Sequence, residues 1–145
     1  MKSTCSRGRA RGFTLVELAV VVITVGVIAA FVVPKFLDSM ERNKAAAAFH
    51  YLSEVKIAQM KYQIRQGIYA DDVSKLKLDF PPPEDFIVGR PAPTGDQTLE
   101  SSWSLTLTRA GSAVGYGGYK VVFTKDGFDT AKSDIPPRIT PSTNQ

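Results

Sequence analysis

Residues 13–33 constrain this chain more than any others. From Phe13 to Val33 almost every residue is apolar, and the run holds a single charge, Glu17. Twenty-one residues at 1.5 Å each make a helix of roughly 31 Å, about the hydrocarbon thickness of a bilayer. An ionisable group inside such a span costs roughly 2.5 kcal/mol or more unless a partner or the interface relieves it. Glu17 therefore asks for a purpose.

The flanks set the span apart from a plain anchor. Lys2, Arg7, Arg9 and Arg11 precede it with no acid among them, which holds the N-terminus in the cytoplasm and sends the rest outward. A secretory signal peptide has its cleavage site after the apolar stretch, whereas the processing point here, Gly12-Phe13, lies before it. Ala29-Ala30-Phe31 is the weaker site, because Val27 and Phe31 are bulky and the apolar run is long. Cys5 also precedes the apolar run, the wrong order for a lipoprotein cysteine.

The succession of basic leader, Gly12, Phe13, Thr14, Leu15, Glu17, apolar helix and Pro34 resembles the class III signal of type IV prepilins and of the pseudopilins of type II secretion systems. The pattern covers about residues 8–66, and its specific part is Gly12 to Pro34. The resemblance implies that a membrane aspartyl peptidase cuts after Gly12 and methylates the new amine of Phe13. It places Glu17 at the family's glutamate, the fifth residue of the mature chain. Gly26 and Pro34 fall where family helices bend or locally melt. The implied partners are further pilin-like subunits, the prepilin peptidase/methylase, and an inner-membrane assembly platform with its ATPase.

Charge chemistry agrees with that role for Glu17. Removal of the leader leaves an α-amine of pKa about 7.7–8.0 at the membrane edge. A carboxylate one turn away, or on an adjoining subunit, pairs with it, and each charge then lowers the other's burial penalty. The plainer alternative is a carboxylate that snorkels to the interface.

Composition separates leader from mature chain. The whole carries 18 basic and 14 acidic residues, net +4. Subtracting the leader's four bases leaves 14 against 14, so the basic pI is a targeting feature and no nucleic-acid partner is expected. Cys5 is the sole cysteine and goes with the leader, which excludes a structural disulfide, a thiol nucleophile and a thiolate metal site from the mature chain.

Residues 35–66 contain no proline or glycine and end before Gly67, so a single helix is expected from Phe13 to about Gln66. At 100° per residue Phe49, Ile57, Met60 and Ile64 form one apolar stripe, Ala45, Ala48, Tyr51, Leu52, Val55 and Tyr62 a second, and His50, Glu54, Lys61 and Arg65 a polar face. Two stripes suit two partners, the chain's own sheet and neighbouring subunits. One broad face against a single domain is the alternative. Pro81-Pro82-Pro83 reads as an extended polyproline element, and Phe86-Ile87-Val88 as a short strand. Residues 103–108 and 119–124 read as a hairpin across the Gly-rich segment 111–118, with Asp126-Gly127 closing the last strand. About three antiparallel strands are too few to stand alone. The expected fold is α+β, a pilin-like lollipop: leader 1–12, membrane and filament-core helix 13–34, amphipathic helix 35–66, small β-rich head 67–135 and flexible tail 136–145.

The head offers little catalytic chemistry. His50, the only histidine, falls on the polar helix face. Gly115-Tyr116-Gly117-Gly118 lacks the strand-then-helix context of a dinucleotide site. Asp71-Asp72 and Glu84-Asp85 read as solvated turns. Asp126, Asp129 and Asp134 carry a small weight for calcium, since major pseudopilins, which the chain resembles, use such a C-terminal loop, although the ordered ligand grammar is missing. Phe13, Phe31, Phe36, Phe49 and Tyr51 read as packing residues rather than an electron-conducting stack. No cofactor and no enzymatic activity are expected. Three functions stand: a type IV pilus-like filament subunit, a type II secretion pseudopilin, and a monomeric membrane-tethered binding module. The first is favoured, held in a bacterial inner membrane with its head outside until assembly. Against it stands the missing C-terminal disulfide loop, and against the second the absence of a Tyr-Pro-Thr stretch after the helix.

Overall fold

The computed structural model describes residues 12–111 and 116–141. Cys5 and the leader's four bases, Gly115, and residues 142–145 lie outside the described residues. The chain divides after Phe36 into two compact units. One helix, α1 (Leu15–Gln66, 52 residues), supplies segments to both.

Within the first unit the helix starts two residues later than expected. The Thr14 hydroxyl accepts the Glu17 N–H at 3.1 Å, which makes Thr14 the N-cap and Glu17 the third helical residue. The helix then continues through Gly26 and Pro34 without a non-helical residue, so the local melting implied by the resemblance is absent from this monomer. Side chains of 13–36 are exposed along the whole span, and its best 18-residue window has a mean hydropathy of 2.8. This is a helix long and apolar enough to cross a membrane.

In the second unit, residues 37–66 of α1 share a core with an antiparallel sheet. The sheet has four strands in the order β1 (Phe86–Val88), β2 (Ser104–Arg109), β3 (Lys120–Thr124), β4 (Gly127–Phe128), one more than expected. The added strand is two residues long and has no alternation to betray it. Gly127, read as closing the last strand, instead opens β4 with a φ of 118°, a conformation that favours glycine. The expected hairpin is present as β2 against β3, with Leu105 opposite Phe123 and Leu107 opposite Val121. Alternation puts Leu105, Leu107 and Arg109 inside.

Leu52 and Val55 from α1, Leu105, Leu107 and Val121 from the sheet, and Trp103 before β2 are closed to solvent. The second stripe of the sequence analysis is thus the core face, with Tyr62 at its margin. The first stripe divides: Phe49 enters the core through Phe128 (4.8 Å between ring centroids) and Phe123 (5.6 Å), while Ile57, Met60 and Ile64 stay exposed. The polar face is only partly solvated, because Glu54 Oε1 accepts the Asp79 N–H at 2.5 Å and His50 meets the Phe80 ring edge-on. A flexible tail over 136–145 is also corrected for its described part. Ile139 is 0% exposed within the core, and Thr140 and Ile139 turn back onto the Pro136 carbonyl.

Asp129–Asp134 covers the open edge of β3 without being a strand. Asp134 Oδ1 accepts the Lys120 N–H and Ser133 Oγ accepts the Val122 N–H at 2.9 Å. The N–H groups of Asp129 and Asp134 donate to the carbonyls of Val122 and Lys120. A loop that satisfies a sheet edge in this way blocks pairing with foreign strands.

Because α1 is the only long helix that covers the sheet among the described residues, a chain beginning at Lys35 should unfold cooperatively on heating, whereas one beginning at Ile68 should not fold. Loss of α1 removes Phe49, Leu52 and Val55, each worth about 1.5–3 kcal/mol of burial. A cooperative calorimetric transition in the shorter chain would refute the shared core.

Candidate functional site

Gly12, Phe13, Thr14 and Glu17 lie together at the start of α1, all exposed. A side chain at Gly12 would meet nothing within 4 Å among the described residues. The same holds at Gly26, where glycine inside a helix costs about 0.5–1 kcal/mol relative to alanine. Thr14-Leu15-Val16-Glu17 is also a capping-box sequence, a local pattern the residue-by-residue reading passed over. Only the backbone of Glu17 is engaged: among the described residues its carboxylate makes no hydrogen bond or ion pair.

The second unit holds a polar cluster that sequence reasoning missed. Glu41 lies one helical repeat before Ala45 and Ala48 and so continues the buried stripe; Arg109 ends the inward alternation of β2. Their side chains are 6% and 2% exposed and pair through Arg109 Nε and Glu41 Oε1 at 2.7 Å, with Arg109 Nη2 to Oε2 at 3.3 Å. Tyr119 Oη donates to the same Glu41 oxygen at 2.9 Å. Arg109 Nη1 donates to the carbonyls of Asp85, at 3.0 Å, and Ala110. Lys44 reaches Asp85 at 3.1 Å. One turn earlier Asp38 accepts from Tyr116 at 2.7 Å and from Arg138 at 2.8 Å, and Arg42 donates to the Arg138 carbonyl. Residues 38–44 of α1 thereby fasten the ends of β1, β2 and β3 and the C-terminal segment.

Burial raises the Glu41 pKa, but the hydrogen bonds from Arg109 and Tyr119 and the charges of Arg109 and Lys44 outweigh it and hold the carboxyl below its ordinary value. Burial, followed by the bond to Glu41, drives the Tyr119 phenol well above its usual range. Both groups keep one protonation state through neutral pH. Their hydrogen-bonding capacity is spent within the fold, which suits structure rather than catalysis.

The remaining acidic clusters do not gather into a site. Asp126, Asp129 and Asp134 do not come together as a calcium site: among the described residues no group of three His, Cys, Asp or Glu is placed to hold a metal. Asp134 is committed to the β3 edge, and Asp129 Oδ1 accepts the N–H groups of Ala131 and Lys132. Asp72 caps a short 3-10 turn (Val73–Lys75) through the Ser74 N–H and hydroxyl, and these bonds with Arg90 lower its pKa to about 2. Asp71 pairs with Lys75 at 2.5 Å.

Arg109→Met would strand the Glu41 carboxylate in the core and should cost about 3–5 kcal/mol, while pairing it with Glu41→Leu should recover much of the loss. Urea unfolding of the chain from Lys35 measures both. The folded pKa of Glu41 is depressed, so its contribution is complete above its unfolded value of about 4.3 and fades as pH falls through the lower folded value. Acid titration of stability should therefore be shallower in the double variant. Equal damage from the single and double changes would refute the stranded-charge account.

No protein-family model matches the chain. Among curated proteins it is 38% identical to a type IV major fimbrial protein FimA of Dichelobacter nodosus over 133 residues, 90% of this chain and 75% of that one. It is 34% identical to the type IV major pilin protein PilA of Myxococcus xanthus over 68 residues, 47% of this chain and 31% of the relative. The type IV major pilin protein PilE of Neisseria gonorrhoeae is also 34% identical, over 62 residues, 43% of this chain and 37% of the relative. The chain thus spans only about a third of the length of the PilA and PilE relatives but three quarters of FimA. With 38% identity across that share of FimA, the chain belongs to the type IV pilin family.

Proposed function

We propose that the protein is a structural subunit of a type IV pilus-like filament. Prepilin peptidase cuts it between Gly12 and Phe13 and methylates the new amine. An inner-membrane platform with its ATPase then adds it to the fibre. The observation that carries this reading is an exposed apolar span whose one carboxylate, Glu17, has no hydrogen-bond or ion-pair partner among the described residues. Gly26 supports it, since a small residue on an otherwise unpartnered helix allows a neighbouring helix close approach. Until assembly the span anchors the subunit in the inner membrane with the second unit outside. No cofactor or catalysis enters the reading. The relatives are named as pilus and fimbrial components, which favours a pilin over a pseudopilin.

Cleavage gives Glu17 its work. The new α-amine of Phe13 sits at the positive end of the α1 dipole, the wrong place for a cation. A carboxylate of the same or an adjoining subunit relieves it. Glu17 is one turn from that amine in its own chain and equally available to a neighbour.

Mass spectrometry of assembled material should find a methylated N-terminus at Phe13, and Gly12→Glu should block cleavage. Glu17→Leu should leave membrane insertion and cleavage largely intact while filament yield collapses, with Glu17→Asp intermediate. Normal filaments from a cleaved Glu17→Leu subunit would leave the membrane-tethered module as the better account.

A further inference from the structure

We infer that neighbouring copies join through a heterologous contact between their second units, in which the Asp79–Glu84 loop of one copy seats in an aromatic groove of the next. The inference rests on the filament reading above and names the contact surfaces.

The groove, about 660 Å³, lies between α1 and β4. Lys56, Ile57 and Met60 form its helical wall, and Phe123 and Phe128 its sheet wall. Phe49 lies behind these two rings, in contact with both. Ile57 and Met60 are 54% and 51% exposed, so the groove is open and apolar. Methionine there adapts its shape to an incoming group. Lys56 makes no ion pair among the described residues, and Lys61 and Arg65 continue the positive charge along exposed α1. Asp126 is the groove's one acid.

The loop has the complementary character. Phe80 is 55% exposed, and Pro81-Pro82-Pro83 follows it. Three prolines present no N–H to be stranded by burial and have little backbone freedom left to lose. Proline-rich segments dock into aromatic-lined grooves for these reasons. The carboxylates of Asp79 and Glu84, on either side, make no ion pair among the described residues, and neither do the lysines they would meet.

The loop cannot occupy the groove of its own chain. Its Asp79 N–H is held by Glu54, and at 3.6 residues per turn Glu54 and Lys56 project about 160° apart around α1. Only another copy can bring loop and groove together. A contact between two different patches leaves one groove and one loop free on every pair, so it can add further copies, and it runs on as an open fibre when the rotation between copies does not close a ring.

Cysteine crosslinking of the full chain tests this, in a Cys5→Ser background so that no other thiol is present. Sheared filaments of Met60→Cys with Phe80→Cys, oxidised with copper phenanthroline, should give a ladder of dimers, trimers and higher multimers. Either substitution alone should stop at traces of dimer. Should the paired variant fail to assemble, Ile57→Cys with Pro82→Cys reads the same contact. Filaments that assemble but yield no ladder from either pair overturn the contact and leave the filament reading standing. If the unsubstituted chain forms no filaments at all, both fall.

Discussion

One helix face closing on one sheet is the constraint on which the second unit depends. Leu52 and Val55 of α1 are sealed in the same core as Leu105, Leu107 and Val121. A four-stranded sheet with end strands of three and two residues is too small to be stable alone. The helix supplies the missing layer, and with it the place where the remaining segments attach. Gln59, 0% exposed, both donates to the Ala70 carbonyl and accepts the Ala70 N–H, and so fixes the chain where it leaves α1. Asp38, Glu41 and Arg42 do the same for the hairpin and for the C-terminal segment.

The polar cluster around Glu41 explains how so small a unit keeps one arrangement. Apolar packing of Val, Leu and Phe is more tolerant of a two-residue slide, which keeps the same side chains facing inward. A buried Arg109 that must meet Glu41, Asp85 and Ala110 together is not. A shift of one residue in β2 would turn Arg109 outward and leave Glu41 buried without its partner. The ion pair adds little net stability over an apolar pair. Its contribution is to penalise every other register.

The first unit obeys a different logic. Its exposed apolar span satisfies its own backbone and leaves its side chains to a bilayer or to other helices. Thr14 caps its start through the Glu17 N–H. Among the described residues the carboxylate of Glu17 makes no hydrogen bond or ion pair.

The sequence by itself determined the features set by local rules. Length and hydropathy define the span, Gly67 the end of α1, alternation the strand β2, and runs of apolar, β-branched and aromatic residues the strands β3 and Phe86–Val88. Gly12, Phe13 and Glu17 stand out in the sequence because of their order along the chain, between a run of bases and an apolar run. The core stripe from Ala45 to Val55 is legible through its 3.6-residue period. Only the tertiary structure decided what depends on partners far apart in sequence. Glu41 meets Arg109 across 68 residues and Arg138 meets Asp38 across 100, so neither pairing leaves a local trace. Ile139 reads as part of a polar tail until the core receives it. Asp134 reads as a solvated turn residue until it accepts the Lys120 N–H at the edge of β3. Side-chain chemistry sets what each residue can do, and the backbone that arrives beside it sets which of those things it does.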